Sequence, residues 1–144
     1  MKNDLPDIAK AAARIRVTIE DAVHRFARKD RYSVGTELRD GAREVVRLTI
    51  QAWREPQRRL IRVRELSIAI DSLKLDLMLA RDINAFRGDR EAEAIGREIK
   101  SIGEQCGGWL KELHRKGQND PGSSPVQRAQ ILSGHPASVQ GANP

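Results

Sequence analysis

Aromatic side chains are scarce. Phe26, Tyr32, Trp53, Phe86 and Trp109 are the whole supply, which leaves little for base stacking and argues against the aromatic and β-branched runs that build sheets. One cysteine, Cys106, excludes an intramolecular disulfide. Long apolar runs are missing as well. The most apolar stretch, 68–80, is interrupted by Asp71, Lys74 and Asp76, far short of the roughly 20 apolar residues that span a bilayer. Met1 is followed by polar Lys2, Asn3 and Asp4 rather than by the basic and apolar regions of a signal peptide. A cytoplasmic protein without a membrane partner is expected.

What is abundant is Ala, Leu, Ile, Arg and Glu, a helix-forming set, in a chain of 144 residues that has room for one core. Apolar residues recur at helical spacing. The first segment carries Ile8, Ala12, Ile15, Ile19, Ala22 and Phe26 on one face and is closed by Arg28, Lys29 and Asp30. The second begins near Ser33, an expected N-cap with Glu37 nearby, presents Val34, Leu38, Gly41, Val45, Leu48 and Ala52, and stops before Pro56. The third, over 57–86, has Val63, Leu66, Ile70, Leu73, Leu77 and Ala80, with Arg87, Gly88 and Asp89 at its end. The fourth repeats in heptads through Ala92, Ile95, Ile99, Ile102, Cys106, Trp109 and Leu113. Short connections between long amphipathic helices predict an all-α fold, an antiparallel up-down-up-down four-helix bundle over 1–116. Residues 117–144 hold four of the six prolines and too little apolar surface to offset ordering entropy, which predicts a disordered C-terminal tail. Asp120 and Arg128 are its only charges, so the net charge of +6 belongs to the helices.

Two features exceed what a bundle needs. Ile61, Ile68, Leu75, Leu79 and Phe86 form a second apolar stripe opposite the first on the third helix. A helix apolar on both faces is expected to be buried on both, here against another copy of the chain; the alternative is burial within a distorted bundle or under the tail. Gly96, Gly103 and Gly107 align on the last helix, with Gly108 following. Either another helix approaches them closely, or Gly107 and Gly108 end the helix early.

Catalytic and metal chemistry lacks its residues. Asp21 and His24 give one Asp-x-x-His pair where a di-metal bundle needs two. His114, where a partly charged imidazole would suit the helix dipole, and His135 have no ligands at metal spacing, and solvated surface histidines are expected. Cys106 occupies a core position without a base and is expected to be inert. Gly35 and Gly41 lack the Lys-Ser/Thr ending of a phosphate loop. No enzyme, cofactor or metal site is expected.

Basic residues remain. Arg54, Arg58, Arg59, Arg62 and Arg64 crowd the turn between the second and third helices, with Glu55 and Glu65 among them, and Arg25, Arg28, Lys29 and Arg31 crowd the preceding turn. The guanidinium fork suits phosphate, and several copies in an oligomer would multiply weak contacts. Pairs such as Glu44 with Arg47 or Arg81 with Asp82 are ordinary surface chemistry. A module that binds only protein through the apolar stripe is the competing reading.

The stretch Phe26-Ala27-Arg28-Lys29-Asp30-Arg31-Tyr32-Ser33-Val34-Gly35 resembles the Phe-Pro-Arg, Arg and Leu-Gly signature of the accessory variability determinant proteins of diversity-generating retroelements. Ala27 and Val34 stand where that family usually has proline and leucine. Arg81-Asp82-Ile83 and Ile102-Gly103-Glu104-Gln105-Cys106-Gly107-Gly108-Trp109-Leu110 are similar to its later landmarks, and agreement spans roughly residues 5 to 113. Related four-helix proteins are encoded within intervening sequences of ribosomal RNA genes. The resemblance implies a homo-oligomer, a pentamer in that family, whose partners are a reverse transcriptase and its template RNA or cDNA.

Overall fold

The computed structural model describes residues 5–119, and all of its regular structure is helical. Four long helices share one core: α1 (Asp7–His24), α3 (Val34–Arg54), α4 (Arg59–Asp82) and α5 (Asp89–Asn119). A single turn, α2 (Arg28–Arg31), lies between α1 and α3, and a 3-10 turn (Pro56–Arg58) leads into α4. α3 packs on α1 and α4, α4 on α5, and α5 on α1, so each long helix has two long neighbours.

The expected apolar faces are the buried ones. Ile8, Ala12, Ile15, Ile19 and Ala22 of α1, Leu38, Val45 and Leu48 of α3, the row from Val63 to Ala80 on α4, and Ile95, Ile99, Ile102 and Cys106 of α5 all lie in the core. Each large aliphatic buried there contributes about 1.5–3 kcal/mol. On α3 the buried small residue is Ala42, while Gly41 is half-buried beside Leu73. Trp109 and Leu113 are partly buried against the same core.

Helix ends depart from expectation in ways that local chemistry explains. α1 stops at His24, before Phe26. The N–H groups of Arg25 and Phe26 donate to the carbonyls of Ala22 and Val23, tightening the last turn. Arg28, Lys29 and Asp30 do not simply terminate α1; they form α2, in which Asp30 is buried. Ser33 precedes α3 but does not cap it with its side chain, because its hydroxyl donates to the carbonyl of Lys29 at 2.9 Å. α4 ends at Asp82 rather than at Phe86. Asn84 adopts a left-handed conformation with φ 59°, and the N–H of Ala85 reaches back to the carbonyl of Ala80 at 2.9 Å, the six-to-one bond of a Schellman ending. That reversal swings Phe86 inward, where its ring meets the edge of Phe26 at 5.0 Å and 82°.

α5 continues through Gly107 and Gly108, which therefore do not end it, and runs past the expected boundary at 116/117 to Asn119. The expected tail from residue 120 onward lies outside the described residues. Gly96 and Gly103 face α4 side chains, Leu77 at 3.5 Å and the Lys74 Nζ at 3.3 Å from an added Cβ, whereas Gly107 and Gly108 meet nothing.

Gly35 is the tightest helical glycine. A Cβ there would stand 2.7 Å from Val23 Cγ1 and 3.0 Å from the Asp30 carbonyl oxygen. In an open helix, glycine to alanine gains up to about 1 kcal/mol, but forcing a methyl against packed atoms costs about 1–3 kcal/mol. Denaturant unfolding should therefore show Gly35→Ala less stable than the wild type, while Gly107→Ala and Gly108→Ala should each be more stable.

Candidate functional site

Two surfaces correspond to the residues singled out from sequence. The first is the outer face of α4. Ile68 and Leu75 are 68% and 65% exposed, and Ile61 and Leu79, at 52% and 48%, continue the row. The seven-residue spacing of Ile61, Ile68 and Leu75 keeps them nearly in line along the helix. Met78 and Ile83 widen the apolar area at one end. Phe86, assigned to the same stripe by its spacing, does not belong to it. It is buried against Phe26 because the chain leaves the helix at Asn84, so helical periodicity no longer governs its direction.

The second surface, basic, divides into two places. The cations of the α1–α3 connection and those around the α3–α4 turn lie at opposite ends of α3, whose 21 residues separate them by about 30 Å at 1.5 Å per residue. They do not form one patch on a single chain.

Several of these arginines are committed to holding helix ends. Arg59 donates from Nε to the carbonyl of Ala52 and from a terminal nitrogen to that of Trp53, both at 2.8 Å, satisfying carbonyls that α3 leaves without helical partners. Arg62 lies between Glu55 at 3.5 Å and Glu65 at 3.2 Å, with its side chain only 17% exposed. Arg31 donates to the carbonyls of His24 and Phe26 at the end of α1. Arg25 pairs with Glu91 of α5, and Arg64 stands 3.5 Å from the His114 ring. Of the two clusters, the exposed members without an ion pair among the described residues are Arg54, Arg58, Arg28 and Lys29. Of the expected surface pairs, Arg47 does bind Glu44, whereas Arg81 turns to Asp89 and Glu93 of α5 instead of Asp82.

Of the residues weighed for chemistry, His24, His114 and Cys106 lie among the described residues. No group of three His, Cys, Asp or Glu able to hold a metal occurs among the described residues. His24 is exposed, 3.9 Å from Glu20 and near Arg39. His114 differs from the expected solvated, partly charged histidine. It is half-buried, α5 extends a turn beyond it, and desolvation followed by the Arg64 charge lowers its pKa, favouring neutral imidazole. His135 lies outside the described residues. Cys106 is buried with its thiol aimed at the carbonyl of Val63 at 3.6 Å. Desolvation, then the negative charge of Asp71, pushes its pKa up to about 11. No helix among the described residues is long and apolar enough to cross a membrane.

The chain matches no family model, no curated protein and no solved structure. The site therefore rests on its own geometry. Sequence reasoning missed one feature of it, an apolar groove of about 640 Å³ between α4 and α5, floored in part by Gly96. The glycine alignment on α5 marked the position, but groove depth depends on how far apart the two helices stand.

Arg59→Ala should lower stability by about 1–3 kcal/mol through two orphaned carbonyls, and Arg58→Ala should change it by less than about 0.5 kcal/mol; thermal melts separate the two. For Cys106, the folded thiol stays protonated above the pH at which the unfolded thiol ionises. Its contribution to stability should thus be complete below about 9 and be lost as pH rises from there toward about 11. Cys106→Ser, compared with the wild type across that window, checks the sign.

Proposed function

We propose that this protein is a non-enzymatic accessory subunit of a diversity-generating retroelement: an antiparallel up-down-up-down four-helix bundle that self-associates in the cytoplasm and holds a reverse transcriptase with its template RNA or cDNA. The observation that carries the reading is the exposed row Ile61, Ile68, Leu75 and Leu79 on α4. Leaving four large aliphatic side chains 48–68% exposed forgoes burial free energy of about 1–2 kcal/mol each, and apolar surface of this kind marks an association site. The cyclic pairing of α1, α3, α4 and α5 supports the bundle topology. The resemblance of residues 26–35 and 102–110 to the accessory variability determinant proteins supplies the partners and the pentameric state.

In this reading the protein contributes position rather than chemistry. Arg54 and Arg58 lead the contacts to phosphate, with Arg28 and Lys29 second, since Arg59, Arg62, Arg31 and Arg25 already serve the fold. Repetition around an oligomer makes a belt of positive potential from few cations per subunit. With so few aromatic side chains, recognition falls on backbone and shape rather than on base identity.

The same internal use of arginines favours a second reading, a scaffold that binds only protein through the apolar row. Purification from native lysate with and without nuclease distinguishes the two. A reverse transcriptase recovered with RNA on a multimeric particle supports the accessory role, and a multimer free of both supports the scaffold. Ile68→Glu should convert the multimer to monomer by light scattering, and a wild-type protein that is itself monomeric would refute self-association. Arg54→Ala with Arg58→Ala should reduce the salt slope of RNA binding by about 1.4 per subunit engaged; an unchanged slope removes these residues from the interface.

A further inference from the structure

The groove between α4 and α5 is a different surface from the α4 row, although Met78 borders both. Its floor is apolar: Leu77 and Met78 from α4, Ala92 and Gly96 from α5. Two of those four residues are the smallest available, and at Gly96 the nearest side-chain atom to an added Cβ is Leu77 Cδ2 at 3.5 Å. Another chain can therefore approach the α5 backbone closely there. The groove follows the helices for about two turns on each, from Lys74 to Arg81 and from Ala92 to Lys100, or roughly 10–12 Å at 1.5 Å per residue.

Its rim carries a consistent sign. Lys74, Arg81, Arg97 and Lys100 surround the floor, against a single carboxylate, Glu93. Glu93 is engaged by Arg81 at 3.5 Å, while Arg97 and Lys100 are exposed and have no ion pair among the described residues. On the α4 edge Lys74 pairs with Asp71 at 3.9 Å and Arg81 with Asp89 and Glu93, so the cations left without an ion pair, Arg97 and Lys100, both lie on the α5 edge. The trough is complementary to a ligand that is apolar on one side and acidic along the flank that meets α5.

Three occupants fit this description poorly. A small amphipathic anion would need a cavity that encloses most of its surface, and this one is open along its length. A nucleic-acid backbone would match the rim but leave the apolar floor wet. The chain's own residues 120–144 contain one acid, Asp120, and one base, Arg128, so charge does not select them. What remains is a helix laid into the groove, with apolar anchors at i, i+3 or i+4, and i+7 meeting the floor, and carboxylates meeting Arg97 and Lys100.

We propose that the α4–α5 groove is a docking site for an acidic amphipathic helix of a partner protein. The inference does not depend on the retroelement role, because neither the α4 row nor the Arg54 and Arg58 cations take part in it.

The test uses the full chain and a fluorescein-labelled synthetic helical peptide with leucines on one face and glutamates along one adjoining flank, read by anisotropy. A version with lysine for every glutamate and an oligouridine strand serve as the other probes. The glutamate peptide should bind and the lysine peptide should not. Arg97→Glu with Lys100→Glu, both at exposed positions, should weaken binding about tenfold or more. Gly96→Leu, which fills the floor, should weaken it comparably, with helix content unchanged by circular dichroism. Arg54→Glu with Arg58→Glu should leave peptide affinity intact. The proposal is overturned if the glutamate peptide fails to bind, or if the groove reversal has no effect on it. It is equally overturned if the Arg54 and Arg58 reversal abolishes binding, or if oligouridine displaces the peptide and loses its own affinity in the groove variant.

Discussion

Helix α4 carries large aliphatic residues on two opposed faces, and a chain with one core can cover only one of them. The row from Val63 to Ala80 takes the core, packed between α3 and α5, while Ile61, Ile68, Leu75 and Leu79 face outward. The choice between faces is fixed by continuity. The inner row extends over six positions at close helical spacing, so it meets both neighbouring helices along its whole length, and the outer row is sparser and flanked by Arg64, Asp71 and Asp82. The other long helices meet at this one: α3 leads into it through a 3-10 turn, α5 packs against it, and the groove forms where α5 offers Ala92 and Gly96 rather than larger side chains.

The ends of the helices show a second economy. Arginines that look like a nucleic-acid footprint in sequence act here as C-terminal partners for helix carbonyls and as struts between helices. Arg59 closes α3, Arg31 closes α1, and Arg25 ties the start of the α1–α3 connection to Glu91 of α5. A guanidinium can do this because its planar fork reaches two acceptors at once. The consequence for function is that positive charge counted along the chain overstates the charge available to a partner. Of the two clusters, Arg54 and Arg58 at one end and Arg28 and Lys29 at the other stay exposed and without an ion pair among the described residues, as do Arg97 and Lys100 beside the groove.

Much of the fold was legible because helical periodicity is a strong signal when the apolar face is long. Every residue expected in the inner row of α4 is buried, as are the expected positions of α5 from Ala92 to Cys106. The misreadings cluster where the chain stops being helical. Phe86 fits the outer stripe only if α4 continues to it, and Asn84, a residue suited to left-handed backbone, was the available sign that it does not. Ser33 has the right chemistry for an N-cap, yet its hydroxyl finds the carbonyl of Lys29 because the short helix α2 brings that group within reach. Gly107 and Gly108 resemble a helix ending, but the turns on either side carry Cys106, Trp109, Leu110 and Leu113 into contact with the core, and that packing outweighs a propensity cost of about 1 kcal/mol for each glycine.

By itself the sequence determined the helical class, the inner faces of the long helices, and the existence of a surplus apolar row on α4. These follow from the repeat of side chains along one helix, a local property that needs no neighbour. Tertiary structure alone decided which arginines remain free, that Phe86 turns inward to Phe26, that Cys106 is held protonated, and that α4 and α5 leave a basic-edged groove between them. Those outcomes depend on distances between residues far apart in the chain, which are set only when the helices pack.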